Sequence, residues 1–379
     1  MMMDYWQRVY RRSRRQYQRL SWRTLHLDPW LLLALLTIVA GGLIVLYSAG
    51  GESTHLVEAQ ALRFAAAFLI MLLIAQFSPR TMQRFAWFFY VVVILMLVAV
   101  DVIGTHAMGA QRWLTIPGVI RFQPSELMKL AMPMTIAAYL SRRVLPPGWL
   151  DLLVCLLLMG FPVALIANQP DLGTSMLVTA SAVFVILLAG LSWRFVAVCA
   201  GFGIAAMPLL WFNMHQYQRQ RVLTFLNPES DPLGTGWNII QSKTAIGSGG
   251  IHGKGWMQGT QSQLEFLPER HTDFIVAVLA EEFGLIGMAV LMSCYLLLIW
   301  RGLYMATQAH DTFGRLLGGS LILTFFVYVF VNVGMVSGVL PVVGVPLPLI
   351  SYGGTASVTL MAGFGMLMAV FTHHKTTPR

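Results

Sequence analysis

The 379-residue sequence predicts an all-α polytopic membrane protein of about ten transmembrane helices. Three observations carry that expectation. Hydrophobic residues make up 57% of the chain and charged residues 11%, where a soluble domain carries about 25% charged. The mean hydropathy is +0.68. Apolar runs near the ~20 residues that cross a bilayer recur along most of the chain.

Ten such runs can be counted, at about 29–49, 58–77, 85–103, 126–140, 149–167, 173–191, 195–212, 274–300, 316–339 and 356–372. They divide the chain into a basic segment 1–28, one membrane domain 29–372 and a tail 373–379. Seven arginines (Arg8, Arg11, Arg12, Arg14, Arg15, Arg19, Arg23) precede the first run. Such a block suits an anionic cytoplasmic leaflet better than nucleic acid. It does not read as a cleaved signal, because the following run is about twice a typical signal core. Arg80, Arg84, Arg142, Arg143, Arg194, Arg301 and Arg315 fall in alternate loops, which predicts both termini in the cytoplasm. Cys155, Cys199 and Cys294 lie far apart in apolar runs, so neither a disulfide framework nor metal-ligand spacing is present.

Three unusual loops then share the outer face: 104–125, 213–273 and 340–355. The first interleaves aromatic, basic and apolar residues from Gly109 to Glu126, as in a segment lying in the membrane interface. Ser125 is the expected cap of the helix that follows. Glu126 and Lys129 are three apart and share a helix face one turn into the membrane. They read either as functional charges or as a self-neutralising structural pair. Between two later runs, Asn168-Gln-Pro-Asp-Leu-Gly-Thr174 is a tight turn in which Asp171 is a cap or a functional carboxylate. Arg63, Asp101, Glu281 and Glu282 are further buried charges that the sequence cannot pair.

The loop 213–273 is too long to be structureless. Its Gly247-Ser-Gly-Gly-Ile-His-Gly-Lys-Gly255 resembles a phosphate cradle but not a Walker A loop, since Ser248 and Gly255 stand where Gly and Ser/Thr are required. Either it is an anion-binding nest of N–H groups with Lys254 as counter-charge, or it is a flexible surface loop. The loop ends in Glu265-Phe-Leu-Pro-Glu-Arg-His-Thr-Asp273, a polar stretch running into an apolar helix. Thr272 and Asp273 stand where a helix start wants a capping oxygen, and Asp273 is either that cap or a reactive carboxylate at the membrane surface. The last loop, 338–355, is too rich in proline and glycine to remain helical. Non-helical backbone at membrane depth belongs beside a cavity or within protein. Ser351-Tyr352-Gly353-Gly354-Thr355 is therefore a cavity wall or a simple break between helices.

Together these loops predict an outward-facing cavity lined by Arg112, Glu126, Lys129, Lys254, Arg270 and Asp273. Cations with one or two carboxylates under an apolar wall suit a lipid-linked anionic sugar or phosphate. An enzyme using a membrane-borne donor and a transporter (flippase) of such a molecule both fit. Transporters place polar groups at mid-membrane on broken helices. Here most lie at outer ends of spans, which favours the enzyme.

Five motifs, in order, resemble the SEDS family (shape, elongation, division, sporulation). They are Gln111-Arg-Trp113, Gln123-Pro-Ser-Glu126 with Lys129, Gln169-Pro-Asp-Leu-Gly-Thr174, Leu267-Pro-Glu-Arg-His-Thr-Asp-Phe274 with Ala280-Glu-Glu282, and Pro348-Leu-Ile-Ser-Tyr-Gly-Gly354. Arg270 and Pro341-Val-Val-Gly-Val-Pro346 are closer to its elongation branch than to its division branch. Thr355 replaces the more usual serine and keeps the hydroxyl. The resemblance implies a fold like the lipid-dependent GT-C glycosyltransferases and a polymerase of lipid II on the periplasmic face of the bacterial inner membrane. It implies a class B penicillin-binding protein as partner. Asp273 would be the essential aspartate, and Arg112, Glu126, Lys129 and Asp171 would fall at functionally important positions; the reading of the loops themselves adds Lys254, Arg270, Ser351 and Tyr352 as substrate-binding candidates. It leaves room for a divalent cation, for which the sequence supplies no ligand set.

Such a reaction fits these residue types. The acceptor hydroxyl needs a base, whereas a diphosphate leaves as a stabilised anion and wants cations rather than a second carboxylic acid. Glycosidase carboxyls stand roughly 5–9.5 Å apart. Asp273 and Glu281 are eight residues apart, about 12 Å along a helix, which excludes them as such a pair.

Overall fold

A computed structural model describes residues 25–107, 110–116, 120–191, 197, 198, 201, 205, 211, 212, 216–230, 235–260 and 270–373. Nine of the ten expected spans appear as helices: α1 Pro29–Ala49, α2 Thr54–Ala75, α3 Pro79–Ile103, α4 Pro124–Leu140, α5 Trp149–Asn168, α6 Leu172–Leu188, and α9 Ile275–Thr307, α10 Thr312–Val336 and α11 Thr355–Thr372. The span expected over 195–212 lies almost wholly outside the described residues. Seven of the helices are long and apolar enough to cross a membrane, and α6 is a shorter apolar helix. The protein is thus multi-pass.

Local chemistry sets the helix starts. Asp28, Ser53, Ser78, Asp171 and Asp311 each accept a hydrogen bond from a first-turn N–H, and Pro29, Pro79 and Pro124 occupy first-turn positions where no donor is missed. The expected cap at Ser125 is displaced: Gln123 precedes the helix, and Ser125 lies inside its first turn and accepts from Gln123 Nε2 at 2.9 Å.

α4 is buried on every side, from Pro124 to Leu140. A helix apolar all round belongs inside, and α3, α5, α6, α10 and α11 surround it. One apolar cluster joins α3–α6 to α10 and α11. The other joins α1, α2, α9, α10 and α11 through Leu347, Leu349 and Ile350 of the last loop. Large apolar side chains such as Trp30, Leu69, Phe88, Leu157, Leu297 and Trp300 are exposed on the rim, as hydrocarbon contact requires. Where α1 and α11 meet, His26 and His373 stack with ring centroids 3.8 Å apart, and Arg301 closes on Asp28 at 2.5 Å.

The loops at 104–125 and 213–273 hold structure that hydropathy did not foretell. The segment expected to lie along the interface is an antiparallel sheet of β1 Thr105–Ala107, β2 Ala110–Ile116 and β3 Ile120–Phe122, in that order. Arg121 lies over the Trp113 ring at 4.8 Å. The long loop is partly folded, with α7 Gln216–Leu226, a 3-10 turn Pro228–Ser230 and α8 Thr235–Gly249.

α9 is broken at Gly284 (φ 64°, ψ −159°). A continuous helix would pair the N–H groups of Leu285 and Ile286 with the carbonyls of Glu281 and Glu282. Instead Leu285 N donates to Gly250 O at 2.9 Å and Ile286 N to Ile251 O at 3.2 Å, while Lys254 N and Gly255 N donate to the Glu281 and Glu282 carbonyls at 3.0 Å each. All four orphaned groups are satisfied by the glycine-rich stretch, as a low-dielectric setting demands. This corrects both expectations for residues 247–255. The N–H groups of Lys254 and Gly255 are taken by α9 rather than offered to an anion, and the stretch is no free loop. Its glycines permit the approach: a Cβ on Gly253 would collide with the Glu282 carbonyl, and one on Gly284 with Gly253 N.

Candidate functional site

Asp273 lies in a turn over residues 270–274, half-buried, just before α9. It is not the helix cap. Phe274 occupies that position and no side chain caps it, so the expected capping role is corrected. What holds the turn is its backbone. The carbonyls of His271, Thr272 and Asp273, in succession, accept from Tyr352 N at 2.9 Å, Ser351 Oγ at 2.5 Å and Asn332 Nδ2 at 2.9 Å. Three donors from α10 and the loop 338–355 thus fix three consecutive peptide units. The loop returns past the carboxylate at Gly344 (φ 75°), where a Cβ would stand 3.6 Å from Asp273 Oδ2.

That loop is cross-braced. Leu347 N donates to Ser351 Oγ at 2.8 Å, and Gln60 of α2 bonds Gly353 N and Gly353 O at 3.3 Å each. Arg63, one turn further along α2, lies over the Tyr352 ring at 4.5 Å. Tyr352 meets His271 edge to face at 5.9 Å. Arg270 approaches the α1–α2 turn: a Cβ on Gly51 would lie 3.4 Å from its Nη2. Ser351 and Tyr352 therefore sit with Arg270 and Asp273, tied to the turn by hydrogen bonds to its carbonyls.

A second group is sealed inside the bundle. Lys129 Nζ donates to Glu126 Oε1 at 2.5 Å and also to the Tyr328 hydroxyl of α10, while Thr359 Oγ1 of α11 donates to Glu126 Oε2 at 3.0 Å. The expected pair is real, and two partners satisfy its remaining valences, as buried charges require. A cavity of about 40 Å³ lies beside it, bordered by Lys129, Thr324, Tyr328 and Thr359.

The third group joins the small sheet to the α5–α6 turn. Arg112 Nε donates to Gln169 O at 3.1 Å and its terminal nitrogen to Pro170 O. Asp171 caps α6 through Thr174 N at 3.2 Å and accepts from Gln123 Nε2 at 2.6 Å, so its capping role holds. Gln169 reaches back to Asp101 at 2.9 Å. Gly173 then packs on the last loop, where a Cβ would stand 2.9 Å from Val343 O. Val343 adjoins Gly344, so this turn and Asp273 contact the same short segment.

Lys254 does not join these groups. Its ammonium bonds Glu281 at 2.8 Å and Thr260 at 2.7 Å, and Glu281 also accepts from Thr260 N at 2.8 Å. Glu282 takes Ser48 of α1. Of the four charges expected to be buried, Glu281 and Glu282 are, Arg63 is half-buried and Asp101 is exposed; Arg63 pairs with Gln60 and Tyr352, Asp101 with Gln169, Glu281 with Lys254 and Glu282 with Ser48. Sequence reading missed Asn332, Gln60, Tyr328 and Thr359 as members of the site. A signal existed for Asn332, the one carboxamide within the 25-residue α10, because polar groups in membrane helices are there for a reason. Among the described residues no group of three or more His, Cys, Asp or Glu side chains converges to hold a metal ion.

A bundle of membrane helices with one carboxylate braced at its rim, beside arginines and buried polar groups, defines a membrane-embedded protein with a polar site. Residues 23–376 match the sequence model of the FtsW/RodA/SpoVE family, described as cell cycle protein, and the chain belongs to that family. It is 54% identical over 355 residues to the peptidoglycan glycosyltransferase MrdB of Escherichia coli, covering 93% of this chain and 96% of the relative. A chain from a peptidoglycan synthase complex that coordinates polymerization and crosslinking superposes with a TM-score of 0.80 at 32% identity, covering 91% of this chain and 97% of that one. The rod shape determining protein RodA of Thermus thermophilus superposes at 0.69 with 28% identity, covering 94% and 98%.

Proposed function

We propose that this chain is a peptidoglycan glycosyltransferase that polymerises lipid II, an undecaprenyl-diphosphate-linked disaccharide peptide, on the periplasmic face of the inner membrane, with both termini in the cytoplasm. The similarity to MrdB supports the activity. The observation that carries the chemistry is the bracing of Asp273: three consecutive carbonyls are held, and the carboxylate faces the 344–345 backbone. A general base must be held within about hydrogen-bond reach of its proton, and this turn has little freedom to stray.

In this reading Asp273 takes the proton of the acceptor hydroxyl as its oxygen attacks the anomeric carbon of the donor. The bond from that carbon to the diphosphate oxygen breaks, and undecaprenyl diphosphate departs with the electron pair. No carboxylic acid is required for departure. Glu281, eight residues on, does not serve as one: it is fully buried and salt-bridged to Lys254. Positive charge from Arg270, with the remaining N–H groups of Arg112, receives the diphosphate. Asp171 and the Glu126–Lys129 pair keep their turns and helix in place beside the lipid-linked substrate, and Ser351 and Tyr352 form the wall. Lys254 serves as a strut for the glycine-rich stretch. The partner is a class B penicillin-binding protein that cross-links the strands.

The test is to supply lipid II to the chain purified with its transpeptidase. Glycan strands on a gel are expected, and Asp273→Asn is expected to lower their formation at least about 10²-fold, the low end for a lost general base. Lipid II crossing vesicle membranes without polymerisation would overturn the enzyme reading.

A further inference from the structure

Asn332 sits fully buried on α10. Its Nδ2 donates to Asp273 O at 2.9 Å and to Val345 O at 2.7 Å. These partners set the orientation of the amide, because the reverse orientation would press its oxygen against two carbonyl oxygens. Oδ1 meanwhile has no hydrogen-bond partner. An unmatched buried acceptor is a cost that an apolar residue of similar volume would avoid, so the two donated bonds are what the position gains.

Those bonds span the carboxylate. One acceptor belongs to Asp273 itself. The other is the carbonyl of Val345, next to Gly344, where a Cβ would stand 3.6 Å from Asp273 Oδ2. One side chain therefore grips both the residue that bears the carboxylate and the backbone that the carboxylate faces. We infer that Asn332 is a positioning residue for Asp273, fixing the spacing between the turn at 270–274 and the segment 344–345 and so aiming the carboxylate at the acceptor hydroxyl. This rests on the reading of Asp273 as general base.

The experiment is steady-state polymerisation of lipid II by the full chain with its transpeptidase. It compares wild type, Asn332→Asp, Asn332→Leu, Asp273→Asn and the double variants, with thermal stability measured alongside. Asn332→Asp preserves shape while removing both amide donors. In each Asn332 variant kcat should fall about 10-fold or more, on the way to the 10²-fold that a misplacement of about 1 Å costs, with KM nearly unchanged and folded protein retained at a lowered Tm. On the residual rate of Asp273→Asn, removing Asn332 should cost nothing further, because there is no base left to aim. Normal kcat, a loss that multiplies onto Asp273→Asn, or loss of folded protein in both Asn332 variants overturns the inference. If Asp273→Asn turns over like wild type, the general-base reading fails and takes this inference with it. If Asp273→Asn is inactive but Asn332→Asp is normal, only this inference fails.

Discussion

Lys129 Nζ lies 2.5 Å from Glu126 Oε1 where both side chains are sealed between α4, α10 and α11. Removing one charge leaves the other buried and uncompensated, which costs about 3–5 kcal/mol. Lys129→Met or Glu126→Gln alone should therefore depress the unfolding midpoint strongly, and the double variant should regain much of the loss. Exchanging the two residues should not rescue activity, because the Tyr328 and Thr359 hydroxyls would then meet the wrong partners. Thermal unfolding in detergent, paired with polymerisation assays, checks this. Full rescue by the exchange would show that charge neutrality alone matters.

Arg112 grips two successive carbonyls, those of Gln169 and Pro170. Lysine keeps the charge but cannot hold both with one planar fork. Arg112→Lys is expected to lose about 1.5 kcal/mol of transition-state stabilisation, roughly tenfold in rate, as for one charge-assisted bond. Turnover equal to wild type in a lipid II assay would remove Arg112 from the working site.

The Gly253–Gly284 contact leaves no room for a methyl group on either side. Gly253→Ala and Gly284→Ala should each abolish accumulation of folded protein, whereas Gly247→Ala, which meets nothing within 4 Å, should be tolerated. Membrane-fraction yield and size-exclusion profiles read the difference.

The stacked His26 and His373 make the meeting of α1 and α11 sensitive to acid. Burial, and secondarily the charge of His373, lower the pKa of His26 from its ordinary 6.5. Only the unfolded or opened chain then takes the proton readily. The contribution of His26 is complete above about 6.5, its ordinary value, and is lost as pH falls through its lower folded value. The unfolding midpoint of wild type should drop on acidification more than that of His26→Phe, which keeps the stacking without the proton. Parallel curves for the two proteins would contradict the assignment.

Much of the fold was legible because hydrocarbon imposes length: nine apolar runs became helices with ends within seven residues of those expected. Asp171 as a cap and Glu126 with Lys129 as a pair were legible too, since both depend on neighbours three residues away. Partners such as Tyr328, Thr359 and Gln60 come from helices far along the chain, and no local spacing announces them. The glycine-rich stretch was misread for a related reason. Its glycines suit close approach to any row of polar groups, and residues 281–286, reading as uninterrupted helix, gave no sign that their ladder was open. The small sheet at 105–122 escaped because aromatic and basic residues alternate in a short strand much as they do in an interfacial segment.

The joint at Gly284 rests on four main-chain hydrogen bonds with the Lys254–Glu281 ion pair beside them, which makes it a matter of chain length as well as of residue identity. Apart from the glycines that permit the approach, its four hydrogen bonds place no demand on which side chains occupy residues 250–255 and 281–286. A single residue inserted or deleted between Gly250 and Gly255 would slide the two donors past the two acceptors and leave them unpaired. Over generations of sequence drift, this part of the chain should keep its count more strictly than its letters outside the glycines, Lys254, Glu281 and Glu282.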